Sequence, residues 1–261
     1  MRIVSLHPDV ILLTSQIWQT NCTILRTGEE CFVIDSPILP QELQALPSVL
    51  EQTDSSLSGL LATHGDWDHL LGRLAFPAAS LGCAQSTSER LLAAPGEPQR
   101  ELRAFDEQHY LQRSPPLALG QLQALPVPGR LAIGERELEL HPAEGHTADG
   151  MAIWVPWAKV LVAGDYLSCI EIPFFGEGQG SLQAYRSTLG RLRPLVQMAE
   201  HVVPGHGPVL NGERATAVLE EDLAYLVSLE EAGAQAQLPA ERRTRMQRQL
   251  HAQNVAALPS R

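Results

Sequence analysis

Apolar and polar positions alternate in short bursts over the first 35 residues, which predicts strands at 2–6, 10–17, 21–27 and 31–35. Gly28-Glu29-Glu30 supplies the turn of the last pair, and short strands joined this tightly pair antiparallel. The spacing then changes. PQELQALPSVLEQ (40–52) carries its apolar residues at helical intervals despite Pro47, and LSGLLA (57–62) is a compact apolar strand delivering the chain to Thr63-His64. Residues 68–76 and 86–94 read as short helices, and 97–112 as a polar, charged helix between Pro98 and the Pro115-Pro116 break, placed as a lid or an insertion. Strand character returns at 122–127, 130–133, 137–141, 151–155 and 159–163, the last ending at Gly164-Asp165. Helices follow at 181–199 and 211–231, separated by a short strand at 201–203 that ends in Pro204-Gly205-His206-Gly207. The tail 239–254 reads as a further helix, with Arg242, Arg243, Arg245 and Arg248 on a solvated face. With no internal repeat and no low-complexity stretch, residues 1–261 are expected to form a single domain whose C-terminal helices run over about 211–254.

Composition narrows the function. A chain of 261 residues that is 44% apolar has enough to fill a sizeable core. Thirty acidic against 19 basic residues leave it at −11, a poor surface for gripping nucleic acid or anionic membrane. No apolar run approaches the ~18 residues of a membrane span, and MRIVSLHPDVILL has neither a lengthy apolar core nor a small-residue cleavage site. A soluble, cytoplasmic protein acting on a small molecule is expected. Lys159 is the sole lysine, which argues against a catalytic lysine. The spaced glycines Gly176, Gly178 and Gly180 have no lysine beside them, so a phosphate-binding loop is excluded. A serine nucleophile of the Gly-x-Ser-x-Gly type has no support either. Cys22, Cys31, Cys83 and Cys169 form no Cys-x-x-Cys pair and read as reduced, mostly packed thiols.

Chemistry concentrates at strand ends. His64, Asp66, Asp68, His69, His146, Asp165 and His206 all fall there or in Gly-rich loops, while His7, His109, His141, His201 and His251 read as ordinary packed or exposed histidines. Imidazole and carboxylate together suit Zn²⁺, Fe²⁺ or Mn²⁺. Seven ligands are too many for one tetrahedral ion and the right number for two that share a bridge, so a dinuclear site is inferred. Trp67, Tyr166, Phe174 and Phe175 are candidates for a substrate groove along the Gly-rich segment 166–180, with core packing as the other reading.

The run Thr63-His64-Gly65-Asp66-Trp67-Asp68-His69 resembles the His-x-His-x-Asp-His signature of the metallo-β-lactamase superfamily, with Asp66 in place of the second histidine. Gly145-His146-Thr147, Ala163-Gly164-Asp165 and Pro204-Gly205-His206-Gly207 follow in the family's order, and Asp35 in VIDSP resembles a supporting aspartate of that fold. The likeness is nearest to the glyoxalase II-like thioesterases and generic hydrolases. It implies an α+β fold, a four-layer αβ/βα sandwich. It also implies that His64, Asp66 and His146 hold one divalent ion, that Asp68, His69 and His206 hold the other, and that Asp165 bridges. Asp68 is the candidate catalytic carboxylate. A hydroxide held between two ions would attack an ester, thioester, lactone or related bond. Zinc is the first expectation, and Asp66 hardens the site toward iron or manganese. Flavodiiron relatives carry a carboxylate at the Asp66 place and hold two irons; with no flavodoxin domain evident in these residues, electron delivery would need a separate partner. Trp18 and Asn21 fall in a hairpin that borders the site in relatives. A non-haem iron redox enzyme, flavodiiron- or persulfide dioxygenase-like, and a catalytically silent metal-binding protein are the competing readings.

Overall fold

The computed structural model describes residues 1–176 and 180–258. The chain divides into two compact units, Met1–His141 and the residues from Pro142 onward.

The first unit opens as the alternation predicts. Strands β1 (Arg2–His7), β2 (Val10–Thr14), β3 (Asn21–Thr27) and β4 (Glu30–Asp35) pair antiparallel in sequence order. Strand β2 stops at Thr14 rather than running to 17, because Ser15 N–H turns back to the Thr20 carbonyl and Trp18 and Gln19 take positive φ. Helix α1 (Pro40–Gln52) follows and tolerates Pro47. The buried Glu42 accepts from Leu39 N–H at 3.2 Å, Gln16 N–H at 3.0 Å and the Ser15 hydroxyl at 2.6 Å, which satisfies the helix start. Strand β5 (Ser56–Leu61) then pairs parallel to β4. The helix expected over 68–76 resolves into a single 3₁₀ turn, Trp67–His69, and a short α2 (Gly72–Ala75). Strand β6 (Leu81–Ala84) is an addition to the predicted elements, a four-residue apolar segment too short to show a period. Helices α3 (Gln85–Ala93) and α4 (Glu97–His109) precede β7 (Leu122–Leu125), which closes a seven-stranded sheet in the order β1 to β7, and the hairpin of β8 (Gly129–Ile133) and β9 (Arg136–Pro142) follows. Leu13, Ile24, Val33, Leu46, Leu60, Leu71 and Phe105 are among the side chains buried together in the core.

In the second unit β10 (Met151–Val155) and β11 (Val160–Gly164) are antiparallel and buried throughout, β12 (His201–Pro204) lies parallel to β11, and the two-residue β13 (Leu210–Asn211) pairs antiparallel with β12. Helix α5 (Leu182–Met198) is capped by Ser181, which accepts from Ala184 N–H. Helix α6 (Gly212–Ala232) packs on α5. The tail helix α7 spans Arg245–Ala256, starting six residues later than its composition suggests, because Thr244 caps it with Gln247. Leu161, Leu189, Leu192, Val202, Leu219 and Leu226 lie in the core of this unit.

Each unit contains a parallel strand pair whose carboxyl ends carry polar residues. In open α/β sheets ligands collect beyond such ends. Asp35 closes β4 and His64 lies just past β5; Asp165 directly follows β11 and His206 just follows β12.

Candidate metal centre

In the first unit, Asp35 organises the ligand loop. Its φ of +56° places a non-glycine residue in the left-handed region at the end of β4. Its Oδ1 accepts from Thr63 N–H at 2.8 Å and its Oδ2 from the Thr63 hydroxyl at 2.9 Å. That hydroxyl, having given its proton to Asp35, takes one from His64 Nδ1 at 3.1 Å. The same Asp35 Oδ2 lies 3.1 Å from His69 Nδ1. The relay places the His64 proton on Nδ1 and leaves Nε2 for an ion, and the Asp35 carboxylate beside His69 Nδ1 favours the same tautomer there. His64 Nε2 lies 3.4 Å from Asp66 Oδ2, His69 Nε2 lies 3.6 Å from Asp68 Oδ2, and the two rings are 4.2 Å apart. Ser36, fully buried, donates to the Asp68 carbonyl and accepts from Leu71 N–H, which pins the turn that carries Asp68 and His69.

Asp66 has a partner that the motif does not announce. Its Oδ1 takes an ion pair from Arg90 Nη2 at 2.8 Å, on α3, while Oδ2 is the oxygen facing His64. The carboxylate is thus split between a neutralising cation and the ligand side.

The second unit shows a shared carboxylate. Asp165 Oδ2 lies 3.3 Å from His146 Nε2 and 3.4 Å from His206 Nε2. His146 Nδ1 is engaged by the Phe174 carbonyl at 2.8 Å, and its backbone N–H donates to the Tyr166 hydroxyl at 2.9 Å. Burial pushes the Tyr166 phenol well above its ordinary range, so it stays neutral and donates onward to the Ala143 carbonyl at 3.1 Å. Ser168 donates to the His206 carbonyl at 2.8 Å. Glu171, which no sequence motif marks, brings a carboxylate oxygen within 4.8 Å of one Asp165 oxygen and one His206 nitrogen. Arg90 likewise belongs to no readable motif.

These donors fit divalent ions. Two ligand atoms held tetrahedrally, each about 2.1 Å from one ion, stand about 3.4 Å apart. The four nitrogen–oxygen separations within the two units, 3.4 and 3.6 Å in the first and 3.3 and 3.4 Å in the second, match that spacing. Each pair also combines a neutral imidazole with a carboxylate, the donor chemistry of borderline first-row ions.

Several other expected residues are placed elsewhere. Tyr166 and Phe175 are core residues, each 2% exposed, rather than groove lining. Phe174 is half-buried, and residues 177–179 of the Gly-rich segment lie outside the described residues. Trp67 is buried against Phe105 at 4.8 Å, and Trp18 packs edge-on to both rings. Asn21 is buried and accepts from the Thr14 hydroxyl. Arg242 reverses its expected place. It is 1% exposed, pairs with Asp222 at 2.6 Å and donates to the Ser168 and Glu171 carbonyls. The four cysteines are free thiols, with Cys22, Cys31 and Cys83 buried.

A family model described as the metallo-β-lactamase superfamily matches residues 16–206. The Beta-lactamase-like protein 2 homolog of Caenorhabditis elegans is 26% identical over 202 residues, 74% of this chain, and the chain spans 57% of that relative's length. Among solved structures, TTHA1623 in a di-iron-bound form superposes with a TM-score of 0.63 at 21% identity, covering 79% of this chain and 97% of that one. The metallo-β-lactamase from Pontibacter korlensis gives 0.61 at 17% identity, covering 84% and 98%. These structures show the fold, α+β with two sheets and helices, as the motif resemblance implied. With the histidine- and aspartate-bearing strand ends all inside the matched residues, the chain belongs to the metallo-β-lactamase superfamily, whose members are mostly metallo-hydrolases.

Proposed function

We propose that this protein is a metal-dependent hydrolase of a small-molecule ester, thioester, lactone or related bond. The observation that carries the reading is the Asp165 carboxylate, whose Oδ2 stands 3.3 and 3.4 Å from the Nε2 atoms of His146 and His206, an arrangement that suits a bridging ligand. Family membership then supports the ligand assignment: His64, Asp66 and His146 for one ion, Asp68, His69 and His206 for the other, and Asp165 for both. Two divalent ions bound there, zinc in the first instance, would supply an activated water and a polarised carbonyl at neutral pH. The chain's own groups would do the rest. Thr63 holds His64, Asp35 faces His69 Nδ1 and the Phe174 carbonyl engages His146 Nδ1, leaving each Nε2 for an ion, and Asp68 would be the carboxylate that takes the water's proton and passes it to the leaving group. The net charge of −11 supports a small molecule over nucleic acid as substrate.

Asp66 favours a second reading, a non-haem iron enzyme, because a third aspartate hardens the donor set; TTHA1623 is a relative in fold solved with two irons. Metal analysis of protein purified from its own host, paired with ester, thioester and lactone turnover, separates the two. Zinc or manganese with hydrolysis supports the first reading. Iron with oxygen- or persulfide-dependent turnover and no hydrolysis replaces it with the second. The free thiols support a reducing compartment such as the cytoplasm, and among the described residues no helix is long and apolar enough to cross a membrane.

A further inference from the structure

The family match ends at residue 206, and the chain continues through α6 and α7. Three buried polar side chains from this continuation reach back to the segment that follows Asp165. Arg242 Nη1 donates to the Ser168 carbonyl at 3.0 Å and the Glu171 carbonyl at 2.7 Å, and Gln247 Nε2 donates to the Ile170 carbonyl. Asn254, on α7, is 0% exposed. Its Oδ1 accepts from Phe175 N–H at 3.0 Å, and its Nδ2 donates to the Pro173 carbonyl at 2.7 Å and to the Tyr225 hydroxyl at 3.2 Å.

The amide of Asn254 therefore brackets Phe174, holding the carbonyl before it and the N–H after it as a neighbouring strand would. Between those two anchors stands the Phe174 carbonyl, the partner of His146 Nδ1 at 2.8 Å. A carbonyl fixed on both sides fixes the ring that leans on it. With Nδ1 occupied, the imidazole keeps its lone pair on Nε2, which lies 3.3 Å from Asp165 Oδ2. Partners of this kind typically change metal affinity by about 10–100-fold when removed.

We propose that Asn254 is a positioning residue for His146, acting through the Phe174 peptide, so that α7 tunes how tightly the ligand set holds an ion. The inference rests on the reading of His146 as a ligand. A packing role is the competing account, since Val255 on the same helix also packs against the core.

The test uses the full chain, zinc titrated against a chromophoric chelator, and imidazole ¹H–¹⁵N spectra of the metal-free protein, with the His146 signal assigned by its absence from His146→Gln. Asn254→Ala is expected to weaken zinc binding about 10–100-fold and to shift or broaden the His146 Nδ1–H signal. Val255→Ala should leave both unchanged. An unaltered affinity and signal in Asn254→Ala, or an equal loss in Val255→Ala, would overturn the proposal. Should Asn254→Ala not fold, the near-isosteric Asn254→Leu removes both bonds that bracket Phe174 while filling the same space: a displaced His146 signal supports the linkage, and an unmoved one ends it. His146→Gln in the same titration tells the failures apart. If it retains zinc, the ligand reading fails; if it loses zinc while Asn254→Ala does not, only this inference falls.

Discussion

Asp66 stands where the superfamily signature has its second histidine. A carboxylate reaches less far than the distal nitrogen of an imidazole, and here it also gives one oxygen to Arg90. The ion pair is partly exposed, with the side chains 17% and 29% accessible, so its contribution to stability is small, about 1 kcal/mol or less. Its consequence is local: Arg90 offsets the extra negative charge and leaves Oδ2 toward His64. Replacing Asp66 with histidine exchanges a hard oxygen for imidazole nitrogen, and the variant should retain zinc better relative to iron and manganese than the parent does. Competition dialysis with equimolar metals measures this. An unchanged preference would mean that Asp66 orders the loop without touching an ion. Phe175 makes a second case at this scale. As a core residue it should cost about 3–5 kcal/mol when cut to alanine, whereas Phe174→Ala should cost far less. Chemical denaturation of both variants checks the contrast, and equal losses would refute the burial argument.

At the level of elements, ligand loops hang from strand ends that other elements hold in register. Gly145 shows how closely. Its φ is +129°, and a Cβ there would stand 2.2 Å from the Tyr185 backbone nitrogen on α5. Ser181 N–H also donates to the Gly145 carbonyl at 2.9 Å, tying the start of α5 to the residue before His146. Gly145→Ala should therefore lower stability by more than about 3 kcal/mol and reduce metal content with it, since neither backbone can yield. Thermal unfolding together with metal analysis tests this, and a wild-type melting temperature would refute it. Much of this level is legible in the sequence. The alternation at 21–27, the apolar runs at 57–62 and 151–155, and the glycines and aspartates closing the strands locate the ligand-bearing loops. Strand β6 is not legible, because LGCA is too short to display a period and stands between two helical patterns. The start of the tail helix is hidden because arginine count is blind to depth: Arg242 goes inward to meet Asp222, a residue whose place on α6 gives no sign of an ionic partner twenty residues away. Arg90 and Glu171 escape sequence reasoning for a related reason, as their roles come from tertiary proximity and from no local pattern.

For the molecule as a whole, pH and metal are the two levers. Burial pushes the Asp222 carboxyl up to about 7, against the opposing pull of Arg242. A carboxyl whose native value lies above its unfolded value of 3.8 favours folding while it is protonated. That contribution is complete below about pH 4, declines as the unfolded chain ionises, and is gone above about 7. Relative to Asp222→Asn, the parent should lose a few kcal/mol between those limits and then run level. Denaturation series of both proteins from pH 4 to 8 measure it. A parent that runs level with the variant over this whole range would show that Arg242 keeps the carboxylate ionised throughout.

The central proposal is that the seven strand-end histidines and aspartates hold two metal ions. Its most direct test is the metal stoichiometry of purified protein beside His64→Ala, from the first unit, and His206→Ala, from the second. We expect close to two transition-metal ions per chain in the parent and a marked loss in each variant, with turnover falling alongside. Full metal content in both variants would contradict the account.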